Sequence, residues 1–402
     1  MRFSRKVQQC ELSPVRKFYP YERAAVERGI RVHHMNIGQP DIETPPVFFE
    51  AIRDFASQVV EYAPAPGLEV FVQAAQKYYR ELGCELAEDE ILTTFGGSEA
   101  LEIVMACILE EGDEVLVPEP FYPNYTTFVN ITGGRLRPVP TSAADGYHYA
   151  RRELIEPLIN EHTRAILITN PGNPTGAVLR REEARLMADI AKEHGLFLIS
   201  DEVYREIVYT GEISSMLEFT DAAENIAVID SVSKRFSCTG ARVGTLVSRN
   251  RELMNEALKI CQGRLCAATL DQIGAAAMYN RLGKDYHKAV LEEYTRRREA
   301  IVTALKKLPG VEFSDPEGAF YFMATLPVDD VEQLQYFLLE EFSDQGETVM
   351  ITPGAGFYSD PSKGRNMARI AYVTAPEDLA RSVELLGLGI KAYNQKRKGK
   401  SA

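Results

Sequence analysis

Short apolar runs alternate with amphipathic stretches in the middle of the chain, from about residue 90 to residue 247. Such runs, rich in Val, Ile and Leu, are typical of strands buried in a sheet, whereas the amphipathic stretches, such as Glu182–Glu193, predict helices. The predicted strands are Glu90–Thr94, Asp113–Val117, Arg135–Val139, Arg164–Thr169, Gly195–Ser200, Ala227–Asp230 and Val243–Val247. The alternation predicts an α/β fold in which a mainly parallel, seven-stranded sheet lies between helices.

The second part of the chain has a different pattern. Residues 252–308 are almost wholly helical in pattern, with breaks near Gly263 and Gly283, and apolar strands return after Gly310. The later strands are predicted in GAFYFMATL, VMITPGAGF and ARIAYVT, and further helices over Val331–Phe342 and Glu377–Ala392. This arrangement indicates a smaller α+β unit.

The length of the chain indicates more than one domain, and its charge argues against one class of partner. Its 402 residues are more than a single hydrophobic core usually spans. We therefore expect a large domain over residues 45–285 and a small domain formed by residues 1–44 and 286–402. The net charge of −13 argues against a nucleic-acid-binding protein, which normally carries a basic surface.

The cysteines and the apolar segments indicate in which cellular compartment we expect the protein. The six cysteines are scattered and show neither CxxC nor metal-ligand spacing, as in reduced cytosolic proteins. The N-terminal sequence lacks the apolar segment of a signal peptide, and no apolar run reaches the length of a membrane span. We expect a cytoplasmic protein that binds neither metal nor membrane.

A lysine directly follows one of the predicted strands. The segment SVSKRFSCTGARVG, residues 231–244, places Lys234 just beyond a buried strand, where desolvation would lower the pKa of its amine. Such an amine can attack an aldehyde, and Ser231, Ser233 and Arg242 around it could clamp a phosphate. Taken alone, however, the segment fits a surface lysine in a polar loop better than a catalytic one.

Three other predicted strands also lead into polar motifs. Asp201 and Tyr204 follow one strand in DEVY, and NPGNPTG, residues 170–176, follows another. A third strand enters FGGSEA, a glycine-rich turn that exposes backbone N–H groups at a helix start and suits a phosphate, although a lone GGS is equally typical of a tight turn. Because ligands bind at the carboxyl ends of parallel strands, we expect these motifs to meet in one site.

In this order the four motifs resemble those of the class I aminotransferase family, which are fold-type I pyridoxal-phosphate enzymes. The resemblance extends from about Ser13 to Glu384. Cys238 departs from the family pattern, where an aliphatic residue or Phe is usual, but a free cysteine packs like a small apolar side chain. The resemblance implies a fold-type I architecture with pyridoxal 5'-phosphate as cofactor.

The resemblance also implies roles for the residues around the cofactor. Lys234 would hold it as a Schiff base and move the substrate's α-proton, while Asp201 would pair with the pyridine nitrogen and keep it protonated. Tyr204 and Asn173 would bind the ring's 3′-oxygen, and Tyr122 would stack on the ring unless it is an ordinary core aromatic. The implied phosphate-binding residues are Gly97, Ser98, Ser231, Ser233 and Arg242, with Tyr62 of a second subunit. A homodimer with shared active sites would follow.

Two further segments concern the substrate. By the same resemblance, Arg369 would bind the α-carboxylate through its planar fork, and the backbone of Gly38 would contact that carboxylate. For a distal carboxylate some relatives place a lysine where this chain has Ser98; Arg264 could supply the charge, although an arginine in a surface helix pair is an equal alternative. The implied substrate-binding residues are Gly38, Tyr122, Asn173, Arg264 and Arg369. Cis peptide bonds are expected at Glu119–Pro120 and Asn173–Pro174.

These features favour a ping-pong aminotransferase that moves an amino group from L-aspartate to 2-oxoglutarate. A transaminase for aromatic, alanine or kynurenine-like substrates is the runner-up, because GAFYF at 318–322 and Tyr19 or Tyr21 could line an apolar pocket. A pyridoxal-phosphate C–S β-lyase is a third reading. An effector-binding domain of a transcription regulator is disfavoured, since the resemblance begins near Ser13 and leaves no room for a DNA-binding domain before it.

Overall fold

The computed structural model describes residues 1–400 and contains the predicted seven-stranded sheet at its centre. The first strand of the chain, β1 (Arg31–His34), is not part of this sheet. The strands of the sheet are β2 (Ile91–Thr94), β3 (Glu114–Glu119), β4 (Arg135–Pro140), β5 (Thr163–Thr169), β6 (Phe197–Asp201), β7 (Ile226–Ser231) and β8 (Gly244–Val247). They lie in the order β2-β8-β7-β6-β5-β3-β4. All neighbouring strands are parallel except β8, which is antiparallel to both β2 and β7. The mainly parallel sheet expected from the pattern is confirmed.

Both faces of this sheet are buried under helices. Along β5, Ile166 and Ile168 pack into one apolar cluster while Ala165 and Leu167 pack into another on the opposite face. Successive side chains of a strand point to opposite faces, so an uninterrupted apolar strand is what a sheet covered on both sides requires. The helices are α1 (Arg5–Gln8), α2 (Tyr19–Glu27), α3 (Pro46–Arg53), α4 (Glu69–Glu81), α5 (Gly96–Ile108), α6 (Asn124–Asn130), α7 (Arg152–Ile155), α8 (Arg181–Glu193), α9 (Val232–Arg235), α10 (Arg251–Gly263), α11 (Thr269–Arg281), α12 (Lys284–Leu305), α13 (Val331–Glu340) and α14 (Pro376–Lys400).

Two smaller sheets complete the fold. The remaining strands are β9 (Glu312–Phe313), β10 (Tyr321–Thr325), β11 (Glu347–Met350), β12 (Thr352–Pro353) and β13 (Met367–Ala371). Four of them form an antiparallel sheet in the order β12-β13-β10-β9, and β1 pairs in parallel with β11. The N-terminal segment is thereby joined to the C-terminal part of the chain. The domain limits at residues 45 and 285 stay a prediction.

The predicted strand VMITPGAGF was wrong as a single element. Between β11 and β12 the backbone N–H of Ile351 is bonded to the side chain of Gln335 at 2.7 Å, so the chain changes its sheet partner there. Gly354–Phe357 then forms a 3-10 helix. By contrast, the breaks near Gly263 and Gly283 do separate α10, α11 and α12. The sequence pattern shows apolar runs well but does not show a change of partner within a run.

Two other expectations can be compared with the structure. The peptide bonds Glu119–Pro120 and Asn173–Pro174 are cis as expected, and Asn170–Pro171 is cis as well. Among the helices formed by residues 1–400, none is both long enough and apolar enough to cross a membrane.

His148 links α8 to the loop that precedes β10. Its Nδ1 lies 2.9 Å from Glu183 and its Nε2 lies 3.3 Å from Glu317. Hydrogen bonds that its ring donates to Glu183 and, to a smaller extent, to Glu317 raise the pKa of His148 to about 9. A histidine held in its charged form by two carboxylates stabilises the fold only while it is protonated.

We expect His148→Gln to destabilise the protein at pH 6 by about 1–3 kcal/mol, as inferred from the pKa difference and its partial exposure. Because the folded-state pKa is raised, the contribution is full below the unfolded pKa near 6.5 and is lost as the pH rises through about 9. Urea unfolding of both proteins at pH 6 and pH 10 measures this. His162→Gln, which removes an exposed histidine, is the control; a difference that persisted at pH 10 would contradict the assignment.

Candidate active site

A cleft of about 640 Å³ opens at the carboxyl ends of the parallel strands. It collects side chains that directly follow five strands of the central sheet, as expected for this kind of sheet. These are Ser98 after β2, Tyr122 after β3, Asn173 after β5, Asp201 at the end of β6 and Lys234 after β7. The polar motifs that are far apart in sequence therefore meet in one place.

Lys234 lies in the one-turn helix α9, whose start is capped by Ser231. Its Nζ donates a hydrogen bond of 2.7 Å to the carbonyl oxygen of Gly38. Burial, followed by the charges of Arg369 and Arg242, lowers the pKa of Lys234 to about 8, with Asp201 acting in the opposite direction. A larger fraction of this amine than of an ordinary lysine is therefore neutral near physiological pH, and the neutral form is the one that acts as a nucleophile or a base.

Asp201 ends β6 and is nearly fully buried. The hydroxyl of Tyr125 donates to its Oδ2 at 2.7 Å, and Thr169 lies 2.6 Å from the same hydroxyl. Burial raises the pKa of Asp201 to about 6, although the bond from Tyr125 opposes that rise. A buried carboxylate of this kind gains stability from a cation beside it.

A second group of hydrogen bonds joins the central sheet to the C-terminal sheet. The hydroxyl of Tyr204 lies 3.3 Å from that of Tyr321, and the amide of Asn173 lies 3.5 Å from Tyr204. The amide oxygen of Asn173 in turn accepts a bond of 3.2 Å from Arg369. Tyr321 comes from GAFYF, so this part of the aromatic motif does line the cleft, together with Tyr19. Tyr21 instead packs against Tyr336, away from it.

Arg369 is a buried guanidinium whose bonds go to neutral groups. It is only 4% exposed, and besides Asn173 it donates to the carbonyl oxygen of Asn36 at 2.7 Å. Its guanidinium lies 4.4 Å from the ring centre of Tyr321, while its Nε has no hydrogen-bond partner among residues 1–400. A buried charge without a counter-charge is costly, so this arrangement favours an anionic ligand in the cleft.

The opposite part of the cleft holds the residues expected to bind phosphate. Gly97 and Ser98 lie in the first turn of the 13-residue helix α5, where free N–H groups attract anions. Ser231 and Ser233 are buried, with their hydroxyls 2.8 Å apart. Arg242 adopts a left-handed backbone conformation, and its side chain donates to the carbonyl oxygens of Thr239 and Phe95. Gly96 has a φ of 74°, a left-handed conformation that favours glycine, and a Cβ there would lie 2.5 Å from the guanidinium of Arg242.

Two residues predicted for the site, Tyr62 and Arg264, do not line the cleft of this chain. Tyr62 is 80% exposed. Arg264 forms an ion pair of 2.9 Å with Glu99 and donates to the carbonyl oxygen of Thr93 at 2.6 Å. Their predicted roles require a second subunit and stay predictions.

Sequence reasoning missed Tyr125, which supports the cleft by bonding Asp201, and one segment of the cleft wall. Tyr125 lies one helical turn beyond Tyr122 in PEPFYPNY, but nothing in that motif indicates which tyrosine would face Asp201. The segment Ser13–Arg16 forms part of the wall, although it is far from the motifs along the chain. Tertiary contacts with the C-terminal part of the chain, among them the pairing of β1 with β11 and the packing of Phe18 on Tyr336, bring this segment to the cleft.

The cleft fits pyridoxal phosphate by its own chemistry. Lys234 supplies an amine for an aldehyde, and Asp201 supplies an acid without a cationic partner. Arg242, the serines and the start of α5 offer donors to a phosphate. Arg369 is left for the carboxylate of a substrate. Each charged group so far described thus has a complementary part in the cofactor or in an amino acid.

Comparison with known proteins agrees with this assignment. The sequence pattern of the family described as "Aminotransferase class I and II" matches residues 31–386. An aspartate aminotransferase of Thermotoga maritima is 30% identical over 95% of this chain and 97% of its own. A (5-formylfuran-3-yl)methyl phosphate transaminase of Methanocaldococcus jannaschii is 31% identical over 89% and 90%.

The solved structures extend the similarity to the whole fold. A single mutant of the Thermus thermophilus aspartate aminotransferase superimposes with a TM-score of 0.89 at 27% identity, covering 97% of this chain and 100% of that one. The fold-type I architecture expected from the resemblance is thereby confirmed. The chain belongs to the class I and II aminotransferases and is a pyridoxal-phosphate enzyme.

Proposed function

We propose that this enzyme transfers an amino group from an L-amino acid, with L-aspartate as the preferred donor, to 2-oxoglutarate in a ping-pong reaction. The observation that carries the proposal is that one cleft holds Lys234, Asp201 and Arg369 together. The pKa of Lys234 is lowered there, and the guanidinium of Arg369 is hydrogen-bonded to neutral oxygens instead of a carboxylate. The names of the relatives from Thermotoga maritima and Thermus thermophilus support the choice of donor.

When bound, pyridoxal phosphate supplies an aldehyde that takes up the amino group and a ring that accepts electrons from the α-carbon. In our proposal Lys234 holds it covalently and Asp201 keeps the ring nitrogen protonated. Asn173 and Tyr204 donate to the ring oxygen, and Tyr122 covers one face of the ring. The proposed phosphate ligands are Gly97, Ser98, Ser231, Ser233 and Arg242.

Arg369 and Gly38 orient the substrate in this proposal. The fork of Arg369 binds the α-carboxylate in two places, which a single ammonium cannot do. The backbone of Gly38 lies beside the amine of Lys234, at 2.7 Å. A Cβ at this position would lie 1.4 Å from the hydroxyl of Tyr321, so only glycine lets the ring of Tyr321 keep its place in the cleft.

Lys234 also acts as the base in this proposal. Once the substrate amine has displaced it, its Nζ removes the proton from the substrate α-carbon, and in the reverse half-reaction it returns a proton to the α-carbon of the new amino acid. A base with a pKa near the working pH is effective in both directions, and Lys234 with a pKa of about 8 meets this condition.

We further propose a cytoplasmic homodimer in which each subunit completes the other's active site. Apolar side chains near Tyr62 are strongly exposed in the single chain, among them Val59 at 62% and Leu265 at 54%. Glu61 and Thr269 are hydrogen-bonded at 2.9 Å, so the two exposed segments adjoin. A contiguous apolar surface of this kind is typical of subunit interfaces. Tyr62 would then reach the phosphate of the second subunit.

The runner-up activity remains a transaminase for aromatic or kynurenine-like amino acids, because Tyr19 and Tyr321 both line the cleft. A panel of amino donors with 2-oxoglutarate separates the readings. Preference for phenylalanine or kynurenine over aspartate would replace the proposed donor. Release of pyruvate from cystathionine would instead indicate a β-lyase.

Lys234→Ala should abolish transamination and the absorbance band of the lysine-bound cofactor, because no other lysine lines the described cleft. The measurement is a steady-state assay together with an absorbance spectrum. In the wild type, borohydride reduction should fix the cofactor to the peptide that contains Lys234. Retained turnover in the variant, or labelling of a different peptide, would refute the assignment.

Tyr125→Phe should lower kcat by about 10- to 100-fold, the range expected for losing one hydrogen bond to a charged group. Without this donor the ionised form of Asp201 is less stable, so the acidic limb of the kcat profile should also move to higher pH. Tyr149→Phe is the matched control, because the buried hydroxyl of Tyr149 has no hydrogen-bond partner among residues 1–400. Equal effects of the two variants would count against the role of Tyr125.

Arg369→Lys should raise KM for both the amino acid and the oxo acid by roughly 10- to 100-fold, with a smaller change in kcat, because a point charge cannot replace the planar fork. Arg365→Lys, on an exposed arginine paired with Asp330, serves as the control. An unchanged KM in Arg369→Lys would remove this residue from substrate binding.

A further inference from the structure

The cleft contains one cation for which the proposed function has no role. Its charged side chains are Arg16, Asp201, Lys234, Arg242 and Arg369. The cofactor and the substrate α-carboxylate account for four of these charges. Arg16 is left over, on the N-terminal side of the cleft.

The charges of Arg16 and Arg369 both influence Tyr122 in the cleft. Burial raises the pKa of Tyr122 to about 12, and the charges of Arg369 and Arg16 oppose that rise. Arg16, Tyr122 and Arg369 all line this cleft. Within residues 1–400, the Arg16 side chain forms neither a hydrogen bond nor an ion pair. It is available for a ligand.

The segment that carries Arg16 is fixed on both sides. Phe18 is fully buried and its ring lies 5.0 Å from that of Tyr336, while Lys17 forms an ion pair of 2.6 Å with Glu332. On the other side, Pro14 packs so closely on Gly356 that an added Cβ there would lie 2.8 Å away. Arg16 thus projects from a supported turn, which lowers the entropy cost of using its charge for binding.

The alternative cation, Arg264, already has a counter-charge. It is paired with Glu99 at 2.9 Å and bonded to the Thr93 carbonyl oxygen, and it does not line the cleft of its own subunit. Ser98, where some relatives have a lysine, is neutral. Of the candidate cations for a second substrate carboxylate, Arg16 combines a place in the cleft with an unpaired charge.

We infer that Arg16 binds the distal carboxylate of a dicarboxylic amino acid or oxo acid while Arg369 binds the α-carboxylate. This inference rests on the proposed function and gives it a substrate class and a specificity residue. The two guanidinium groups would select a substrate with an acid at each end over one that ends in a methyl group. The selection comes from this chain's own N-terminal segment and not from the second subunit.

Binding of glutarate and of pentanoate to the holoenzyme, measured by calorimetry, tests this directly. The two ligands have the same number of carbons and differ in the distal carboxylate. In Arg16→Gln we expect the Kd of glutarate to rise by about 10- to 100-fold, the range for a lost charged hydrogen bond, while that of pentanoate changes by less than about twofold. Arg16→Lys should recover part of the loss, because it restores the charge without the fork.

Lys17→Gln is the matched control, since it removes a neighbouring cation whose partner is Glu332 outside the cleft. Arg264→Gln tests the competing cation. A wild type that does not prefer glutarate, an Arg16→Gln variant that weakens both ligands equally or neither, or a selective loss in Arg264→Gln would each overturn the inference. Selective glutarate binding through Arg16 without transamination of any donor would contradict the proposed function instead.

Discussion

The functional site depends on positive charges that the fold leaves uncompensated. Arg369 is buried among neutral oxygens and aromatic rings, and Lys234 lies in the same cleft with a lowered pKa. Asp201 is the acid of the cleft, and its own pKa is raised by burial. Such a cleft is less stable when it is empty than when it is filled with anions. The fold holds these cations in place before a ligand arrives, and this favours the binding of anions.

In the interior next to the cleft, by contrast, a buried arginine is paired with a carboxylate. Directly beside Lys234, Arg235 is fully buried but is paired with Asp230 at 2.7 Å, and the ring of Tyr78 lies 4.1 Å from its guanidinium. Asp230 also accepts the backbone N–H of Ser231 at 2.7 Å. These bonds hold the short segment that carries the serines and the lysine. Breaking such a pair would leave a buried charge without a partner, which is strongly destabilising.

Much of the fold and of the site was readable in the sequence. The central strands were found because strands buried on both faces are continuous apolar runs, and the polar motifs were found because each follows such a strand. Tyr125 and Arg16 were not found, since their importance depends on which face of a helix or which wall of the cleft they occupy. The division of VMITPGAGF was missed for a related reason: the bond from Ile351 to Gln335 is a tertiary contact that leaves the apolar pattern unchanged.

The parallel pairing of β1 with β11 has a consequence for biosynthesis. Arg31 and Glu347 are register partners although 316 residues separate them. Contacts this distant in sequence form late, because a long loop must close before they contribute stability. During synthesis, β1 must therefore wait without its strand partner until β11, 316 residues further along the chain, has been made. The part of the chain that carries one wall of the cleft is thus joined to its strand partner only after every strand of the central sheet has been synthesised.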